Sequence, residues 1–293
     1  GAQTGTMMIK AEEVLMNEKP DVVVVEGDTN SVFAMAVTAQ KLGIKVAHVE
    51  AGLRSRDMNM PEEVNRIMVD HISDYLFAPT ERARNNLLNE GITGRKIFVT
   101  GNTIVDAVRY IKSLQSSKKV SIVDGFDLRK KYVLLTAHRQ ENVDDIGRLA
   151  CIVESLNVIS KTYPEYELLF IVHPRTLKKL DEFKLKLPDK VRLLPPVDYF
   201  RFFLFQKNAN LILTDSGGVQ EEACILGVPC VTLRDCTERP ESIAVGANRL
   251  AGVDPFTVLA QIQIMLRRKK WKNPFGDGRA GKWIVKILLE DKK

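Results

Sequence analysis

Several features that define large protein classes are scarce or missing in this chain of 293 residues. Its only cysteines are Cys151, Cys224, Cys230 and Cys236, without C-x-x-C spacing or a nearby histidine pair, which argues against zinc. No apolar run approaches the roughly 20 residues of a membrane span, and no signal peptide is visible. No G-x-G-x-x-G follows a predicted strand and no P-loop pattern occurs, so NAD binding and ATP hydrolysis have no direct support.

The remaining composition is that of a globular protein with a moderate positive charge. Hydrophobic residues make up 45% of the chain, charged residues 27%, and the net charge is +6. The lysines and arginines are spread along the chain in short clusters, which favours a solvated surface and a cleft for an anionic ligand over a nucleic-acid stripe. The length suits two domains, and the cysteine usage suits a reducing, cytoplasmic compartment.

Apolar strand patterns alternate with helix patterns throughout the chain, which predicts parallel sheets built from βαβ units. In the first half, strands are predicted at 21–26, 45–50, 75–78 and 96–100, and helices at 29–42, 61–72, 81–90 and 103–114. In the second half, strands are predicted at 132–137, 167–172, 191–194, 210–213 and 230–233, and helices at 146–161, 199–207, 219–226, 255–268 and 281–289.

The polar, poorly periodic stretch 116–125 is interpreted as a linker between two α/β domains. We expect two Rossmann-like, doubly wound parallel sheets: residues 1–115 joined by a final helix at 279–293, and residues 116–278. In such folds a ligand binds in the cleft at the carboxyl ends of the strands.

The segment LTDSGGVQEE at residues 213–222 is the most informative part of the chain. An apolar strand stops at a small-residue turn, and a helix begins at once. The free N–H groups of a first helical turn and the helix dipole favour a phosphate there, and Gly217 and Gly218 allow close approach of the backbone. The segment indicates a nucleotide or nucleotide-sugar site. An ordinary turn capped by Ser216 is the alternative.

Polar residues also follow the ends of other predicted strands in the sequence. For each of them, a purely structural role is the alternative to a functional one. Asp28 is a ligand-site candidate or a helix cap. Glu50 is costly to bury unpaired, which favours a functional role. Glu62 and Arg66 are four residues apart, as in a surface ion pair. His48, inside a strand, is interpreted as a satisfied core histidine. Further candidates are His71, a partner for a helix C-terminus, and His138, His173 and Arg239, the last able to bind phosphate or pair with Glu238 or Glu241.

Seven segments, in order, carry a family resemblance. They are VEGDTN (25–30), HVEAGLRS (48–55), PEEVNR (61–66), HRQEN (138–142), LTDSGGVQEE (213–222), RD with TERPE (234–235 and 237–241) and NPFGDG (273–278). Along its whole length, the chain resembles the non-hydrolysing UDP-N-acetylglucosamine 2-epimerases, and its motif sequences are similar to those of archaeal members.

The resemblance implies a GT-B-like fold and interconversion of UDP-GlcNAc and UDP-ManNAc through loss and re-addition of UDP. It implies no metal or redox cofactor and a homodimer. The catalytic set it implies is Asp28, Glu50, Glu62, Arg66 and His138. The implied UDP-binding set is Ser216, Gly217, Gly218, Glu222, Arg239 and Phe202, and an adjacent activating site matches Arg139, His173 and Gln3.

The start of the chain departs from the family pattern. The Gly-Thr-Arg-Pro-Glu loop of the family does not occur, and the stretch Gly1 to Gly5 resembles a segment well inside the first domain. We therefore expect the opening part of the first domain to be missing, and two cationic nucleotide ligands with it. Two alternatives to an epimerase stay open: a hydrolysing relative that releases ManNAc and UDP, and a non-catalytic nucleotide-sugar binder. A second departure is Val197, near the position where relatives often have a glutamine by the uracil.

Overall fold

In the computed structural model, which describes residues 1–114 and 122–290, the chain divides into two units. The first unit comprises Gly1–Asp106 and Phe275–Lys293, and the second comprises Ala107–Pro274. From the sequence, domain boundaries are predicted between residues 115 and 116 and between residues 278 and 279, and these boundaries stay a prediction. Within the described residues, both units are built on parallel sheets, which confirms the predicted α/β class.

The first unit contains a four-stranded parallel sheet with strand order β1-β2-β3-β4 in the described part. Its strands are β1 (Val22–Glu26), β2 (Lys45–Val49), β3 (Tyr75–Ala78) and β4 (Ile97–Val99). Its helices are α1 (Ala2–Glu18), α2 (Asn30–Lys41), α3 (Pro61–Ile72) and α4 (Glu81–Asn89), then a 3-10 turn (Gly94–Lys96) and α5 (Thr103–Leu114), which continues into the second unit.

Local sequence explains where these helices begin. Thr29 caps α2, its hydroxyl accepting from the backbone N–H of Val32. Pro61 opens α3, where its missing N–H costs nothing. The last helix of the chain begins at Ala280, where the Asp106 carboxylate accepts from the backbone N–H groups of Ala280 and Gly281. This carboxylate supplies the acceptors that a helix N-terminus lacks.

The second unit is built on a six-stranded parallel sheet. Its strands are β7 (Tyr132–Thr136), β8 (Glu167–Ile171), β9 (Val191–Leu194), β10 (Leu211–Thr214), β11 (Cys230–Thr232) and β12 (Asn248–Leu250), after a small antiparallel hairpin of β5 (Ile122–Val123) and β6 (Phe126–Asp127). The order β12-β11-β10-β7-β8-β9 is that of a doubly wound sheet, with its switch point between β7 and β10.

Helices cover both faces of this sheet, so its strands are buried and almost continuously apolar. The helices are α6 (Gln140–Val143), α7 (Ile146–Thr162), α8 (Pro174–Glu182), α9 (Tyr199–Asn208), α10 (Gly217–Leu226), α11 (Pro240–Ala244) and α12 (Pro255–Met265). Helix α13 (Ala280–Glu290) belongs to the first unit, where its Ile284 packs against β2 and β3.

The predicted strands are confirmed to within a residue or two, and the structure adds elements that were not predicted. These are α1, the 3-10 turn, the β5–β6 hairpin, α6, α8, α11 and β12. Of the predicted linker, residues 116–121 lie outside the described residues, and 122–125 form β5 and the turn that follows it. No helix in the described ranges is both long and apolar enough to span a membrane.

Candidate active site

Glu50 directly follows β2 in the sequence and has a backbone conformation that is unusual for glutamate. Its φ is +70°, a left-handed value that costs a non-glycine residue about 1 kcal/mol or more. The side-chain amide of Asn102 donates to the Glu50 carboxylate at 3.3 Å. A Cβ placed on Gly27 would lie 3.8 Å from Glu50 Oε2, so this carboxylate lies against the turn behind β1. The carboxyl ends of β1 and β2 thus bring Glu50 next to the turn that carries Asp28.

Asp28 is not the cap of α2, a role that Thr29 fills, but the partner of a buried arginine. Arg66 on α3 reaches the Asp28 carboxylate at 2.9 Å through Nε and at 2.7 Å through its terminal nitrogen. Arg66 also pairs with Glu63 at 2.6 Å. The Glu63 carboxylate in turn accepts from the backbone N–H groups of Ser55 and Arg56. Two charged partners and nearly complete burial fix the Arg66 guanidinium beside Asp28.

Glu62 occupies the first turn of α3, four residues before Arg66. The surface ion pair that their spacing suggested is absent from the described residues, because Arg66 points inward to Asp28 and Glu63. No hydrogen bond or ion pair of the Glu62 carboxylate occurs within residues 1–114 and 122–290. The Glu62 side chain is half-buried in the first turn of this helix.

His48 is a fully buried and satisfied histidine, which confirms its interpretation from the sequence. Its Nδ1 lies 2.6 Å from the Asp70 carboxylate and its Nε2 lies 2.9 Å from the carbonyl oxygen of Gly27. Arg54 pairs with the other Asp70 oxygen at 2.7 Å and with Glu90 at 2.6 Å. His71, by contrast, bonds the backbone carbonyl of residue 67 in the last turn of α3.

Two pKa values reflect this buried cluster. Burial alone would lower the pKa of His48, but the Asp70 carboxylate and the hydrogen bond to it outweigh burial and raise that pKa. Burial alone would raise the pKa of Asp70, but His48 and Arg54 outweigh it and lower that pKa. Both directions favour the ionised pair.

In the second unit, His138 lies just after β7, at the switch point of the sheet. The Asp215 carboxylate, behind β10, accepts from the backbone N–H groups of His138 and Arg139 and from the Asn142 amide. The His138 ring lies 3.4 Å from the same carboxylate and 5.9 Å, between ring centres, from that of His173. Burial lowers the pKa of His138, Arg139 and His173 add to that lowering, and the Asp215 carboxylate opposes it.

The turn behind β10 has the geometry that its sequence predicts. Ser216 caps α10, its hydroxyl accepting from the N–H of Val219. A side chain at Gly217 would come within 2.4 Å of the Glu238 carboxylate, which would then have to move. A Cβ at Gly218 would meet nothing within 4 Å, which leaves the backbone of the first helical turn open to a ligand. Such a helix start is suited to an anion.

Next to this turn is a cavity of about 210 Å³ with an apolar lining. Phe202 and Val197 form part of its wall, and His138 and His173 border it. The remaining lining residues are Thr136, Ile171, Val172, Pro196 and Val219. An apolar recess beside an anion-binding turn matches a nucleotide, which has a flat base and a charged diphosphate.

Glu222, on α10, is almost fully buried and is held by two donors. The Tyr199 hydroxyl donates to one carboxylate oxygen at 2.7 Å, and the Gln206 amide donates to the other at 2.6 Å. Burial raises the pKa of Glu222 against these hydrogen bonds. Tyr199 and Gln206 were not identified from the sequence, because nothing in a single helix pattern marks a residue that reaches a carboxylate on another helix.

Three arginines lie among carboxylates in the same unit. Arg239 pairs with Glu221 at 2.8 Å, a partner that was not predicted from the sequence. Glu238 receives Arg234 at 2.9 Å and Arg139 at 3.5 Å. This places Arg139 and Glu238 near the start of α10, because the same Glu238 carboxylate borders Gly217.

Of the residues matched to an activating site, two belong to the second unit. His173 caps α8 through its Nδ1, which accepts from the N–H of Arg175, and Arg139 reaches Glu238. Gln3 is exposed in the first turn of α1, in the other unit. In the parts of the chain that the structure describes, no cluster of three or more histidine, cysteine or acidic side chains is arranged to hold a metal ion.

Comparison with known proteins identifies the family. The family model described as UDP-N-acetylglucosamine 2-epimerase matches residues 1–289. A UDP-N-acetylglucosamine 2-epimerase of Methanocaldococcus jannaschii is 56% identical over all of this chain and 81% of its own length. A UDP-2,3-diacetamido-2,3-dideoxy-D-glucuronate 2-epimerase of Pseudomonas aeruginosa is 44% identical over 99% of this chain and 80% of its own length.

A solved structure agrees with these relatives. The crystal structure of the Methanocaldococcus jannaschii UDP-GlcNAc 2-epimerase in complex with UDP-GlcNAc and UDP matches with a TM-score of 0.91 and 54% identity, over 98% of this chain and 81% of that one. The truncation expected from the sequence is not established by these coverages. The GT-B-like fold and the family resemblance are confirmed, and the chain belongs to the UDP-N-acetylglucosamine 2-epimerase family.

Proposed function

We propose that this protein interconverts UDP-N-acetylglucosamine and UDP-N-acetylmannosamine. One observation carries the proposal: the Glu50 carboxylate lies against the turn that carries Asp28, at the carboxyl ends of β1 and β2, and Glu62 lies on α3, the helix whose Arg66 binds Asp28. Inversion at sugar carbon 2 requires a base on one face and an acid on the other. A set of carboxylates supplies both.

In the proposed reaction, a base takes the proton from carbon 2 while the bond between carbon 1 and the UDP oxygen breaks. The electron pair of the C–H bond forms the double bond of 2-acetamidoglucal, and UDP departs with the former bonding pair. A proton then returns to the other face of carbon 2 as the UDP oxygen re-forms its bond to carbon 1. The groups assigned to this chemistry are Asp28, Glu50, Glu62, Arg66 and His138.

The second unit supplies the groups proposed for UDP. Ser216, Gly217 and Gly218 would bind the diphosphate at the start of α10, where the helix dipole stabilises the departing anion. Arg239 would add a positive charge, and Glu222 would accept from the ribose hydroxyls. Phe202 would contact the uracil from the wall of the cavity. An activating site at Arg139, His173 and Gln3, homodimer formation and a cytoplasmic location stay predictions.

Proton NMR of the purified protein with UDP-GlcNAc in deuterated water tests the proposal. We expect deuterium at sugar carbon 2 together with UDP-ManNAc. Free ManNAc and UDP as the main products would indicate a hydrolysing enzyme instead. Binding of UDP-GlcNAc without any exchange at carbon 2 would indicate a non-catalytic binder.

A second substrate belongs in the same experiment because of the Pseudomonas aeruginosa relative, whose name specifies a diacetamido glucuronate sugar. The higher identity to the UDP-GlcNAc enzyme, 56% against 44%, favours UDP-GlcNAc here. Comparing kcat/KM for the two nucleotide sugars decides between them. A larger kcat/KM for the diacetamido glucuronate would overturn the assigned sugar but keep the reaction type.

A further inference from the structure

Asp70 is a buried carboxylate that the proposed reaction does not use. It lies near the end of α3 and is fully enclosed. One of its oxygens receives His48 at 2.6 Å. The other receives Arg54 at 2.7 Å and the backbone N–H of Gly52 at 3.1 Å. A buried carboxylate with three donors is strongly constrained in position.

His48 extends this connection to the turn behind β1. Its Nε2 faces the carbonyl oxygen of Gly27 at 2.9 Å. A carbonyl oxygen only accepts, so Nε2 carries a hydrogen, and the proton on the other side is shared between Nδ1 and Asp70. Arg54 on Asp70 favours the ionised carboxylate. This geometry favours an imidazolium at His48 that donates from both ring nitrogens.

Both ends of this connection adjoin a candidate catalytic carboxylate. Gly27 directly precedes Asp28, and Gly52 follows Glu50 by two positions. Gly27 and Gly52 both have a φ of +83°, which glycine adopts readily, whereas the φ of +70° at Glu50 is strained and needs support from its surroundings. A side chain at Gly52 would come within 2.2 Å of the carbonyl oxygen of Ala83. The turn that carries Glu50 is thus held by Asp70 on one side and packed on α4 on the other.

We propose that Asp70 is a positioning residue of the epimerase reaction: through His48 and Gly27 it fixes the turn of Asp28, and through Gly52 and Arg54 it fixes the turn of Glu50. The inference rests on the proposed function. A misplacement of about 1 Å of an acid–base group costs on the order of 100-fold in rate. Loss of the Asp70 anchor should therefore lower kcat while nucleotide binding, assigned to the second unit, is unchanged.

The alternative is that this cluster contributes only to folding stability, as many buried ion pairs do. Asp74 offers a matched control. Like Asp70, it accepts from a backbone N–H, that of Val46 at 2.9 Å, and its second donor is the side-chain amide of Gln40 at 2.7 Å. Asp74 contacts Val46 near the start of β2, whereas Asp70 contacts His48 near the end of the same strand. Loss of either charge should affect folding, but only loss of Asp70 should affect the carboxylate turns.

The test compares Asp70→Asn with Asp74→Asn in kcat, KM, UDP affinity and C2 deuterium exchange, each scaled to the folded fraction. We expect kcat and exchange to fall at least about 10-fold in Asp70→Asn, with KM and UDP Kd within about twofold of wild type, and neither to fall in Asp74→Asn. A folded Asp70→Asn protein with wild-type kcat would overturn the inference. So would an equal loss in both variants.

A second measurement applies even where Asp70→Asn does not fold. The chain has four histidines, so nitrogen NMR of histidine-labelled wild-type protein resolves the state of His48. We expect both of its nitrogens protonated at neutral pH, and we expect His48→Gln, which keeps an N–H donor for Gly27, to retain more kcat than His48→Ala. A neutral His48, or equal rates in the two variants, would contradict the inference. An inactive wild-type protein would instead contradict the proposed function, and this inference with it.

Discussion

The candidate carboxylates of the first unit and the candidate nucleotide site of the second unit are built differently. In the first unit the polar groups are linked by ion pairs: Arg66 joins Asp28 to Glu63, and Asp70 joins His48 to Arg54. In the second unit the site is an apolar cavity beside the open start of α10. The first arrangement fixes groups that move protons, and the second leaves room for a nucleotide. We therefore expect substitutions of the candidate carboxylates in the first unit to change kcat, and substitutions at the α10 turn and the cavity wall in the second unit to change affinity.

The largest effect should come from removing a candidate acid or base. Glu50→Gln and Glu62→Gln should each lower kcat by roughly 10²- to 10⁴-fold, because general acid–base groups contribute that much. UDP Kd should change by less than about twofold, a small free-energy difference. UDP-ManNAc formation and calorimetric titration with UDP measure the two quantities.

Glu81→Gln is the matched control for these two variants, since the Glu81 side chain is 72% exposed and pairs only loosely with Arg84, at 3.6 Å. Its kcat should equal that of the wild type. If Glu50→Gln and Glu62→Gln weakened UDP binding while kcat stayed high, the division of labour between the units would be wrong.

The second prediction concerns stability in the first unit. His48→Gln leaves Asp70 buried with one charged partner fewer, which should cost about 3 kcal/mol of unfolding free energy near neutral pH. The raised pKa of His48 means that its contribution is fully present below the unfolded value of 6.5 and is lost as pH rises through the folded pKa. The lowered pKa of Asp70 means that its contribution is present above 3.8 and is lost as pH falls through the folded value.

Urea unfolding of wild type and His48→Gln across this range measures the difference. It should be largest between the two unfolded pKa values, 3.8 and 6.5, and should narrow as the solution becomes alkaline. A difference that does not vary with pH would show that His48 is neutral in the folded protein.

The site could be predicted from the sequence where one segment carries it, and not where distant segments meet. The Ser216–Gly217–Gly218 turn was identified because strand, turn and helix are contiguous. The network of Asp70 was not, because His48 and Arg54 reach it from other elements. The surface ion pair, which was the structural alternative for Glu62 and Arg66, failed for a similar reason: helix spacing gives the face that two residues share, but not which side chain turns inward.

The fold shows the same limit. Buried strands such as Tyr132–Thr136 are apolar without interruption and were predicted well. The edge strand Asn248–Leu250 has only three residues, including an asparagine and an arginine, so its place is set by its neighbour β11 rather than by its own pattern. Helix Ala2–Glu18 was missed because Gly5 and three polar residues near its start weaken the helical pattern.

The third prediction is an expected loss of affinity in the second unit. Gly218→Ala adds a methyl group that meets nothing in the ligand-free protein, and alanine favours a helix over glycine by roughly 0.5–1 kcal/mol. The variant should therefore fold at least as well as the wild type. A diphosphate at the start of α10 would meet that methyl group, so we expect UDP affinity to fall about tenfold, or about 1.4 kcal/mol.

Gly281→Ala is the control, because Gly281 also lies in the first turn of a helix and its added Cβ makes only an ordinary contact, 3.5 Å from Asp106. It should leave UDP affinity unchanged. Unaltered UDP affinity in Gly218→Ala would place the diphosphate elsewhere than the start of α10.

The smallest effect should come from the wall of the cavity. Phe202→Leu keeps an apolar side chain against Val197 and Val219 but removes the aromatic ring, and aromatic pairs contribute about 0.5–1.5 kcal/mol beyond their buried area. We expect UDP Kd to rise roughly two- to tenfold and kcat at saturation to stay near that of the wild type. Titration with UDP and with inorganic diphosphate separates base from phosphate binding, because only UDP should lose affinity. Equal losses for both ligands would show that Phe202 shapes the phosphate turn instead of contacting the base.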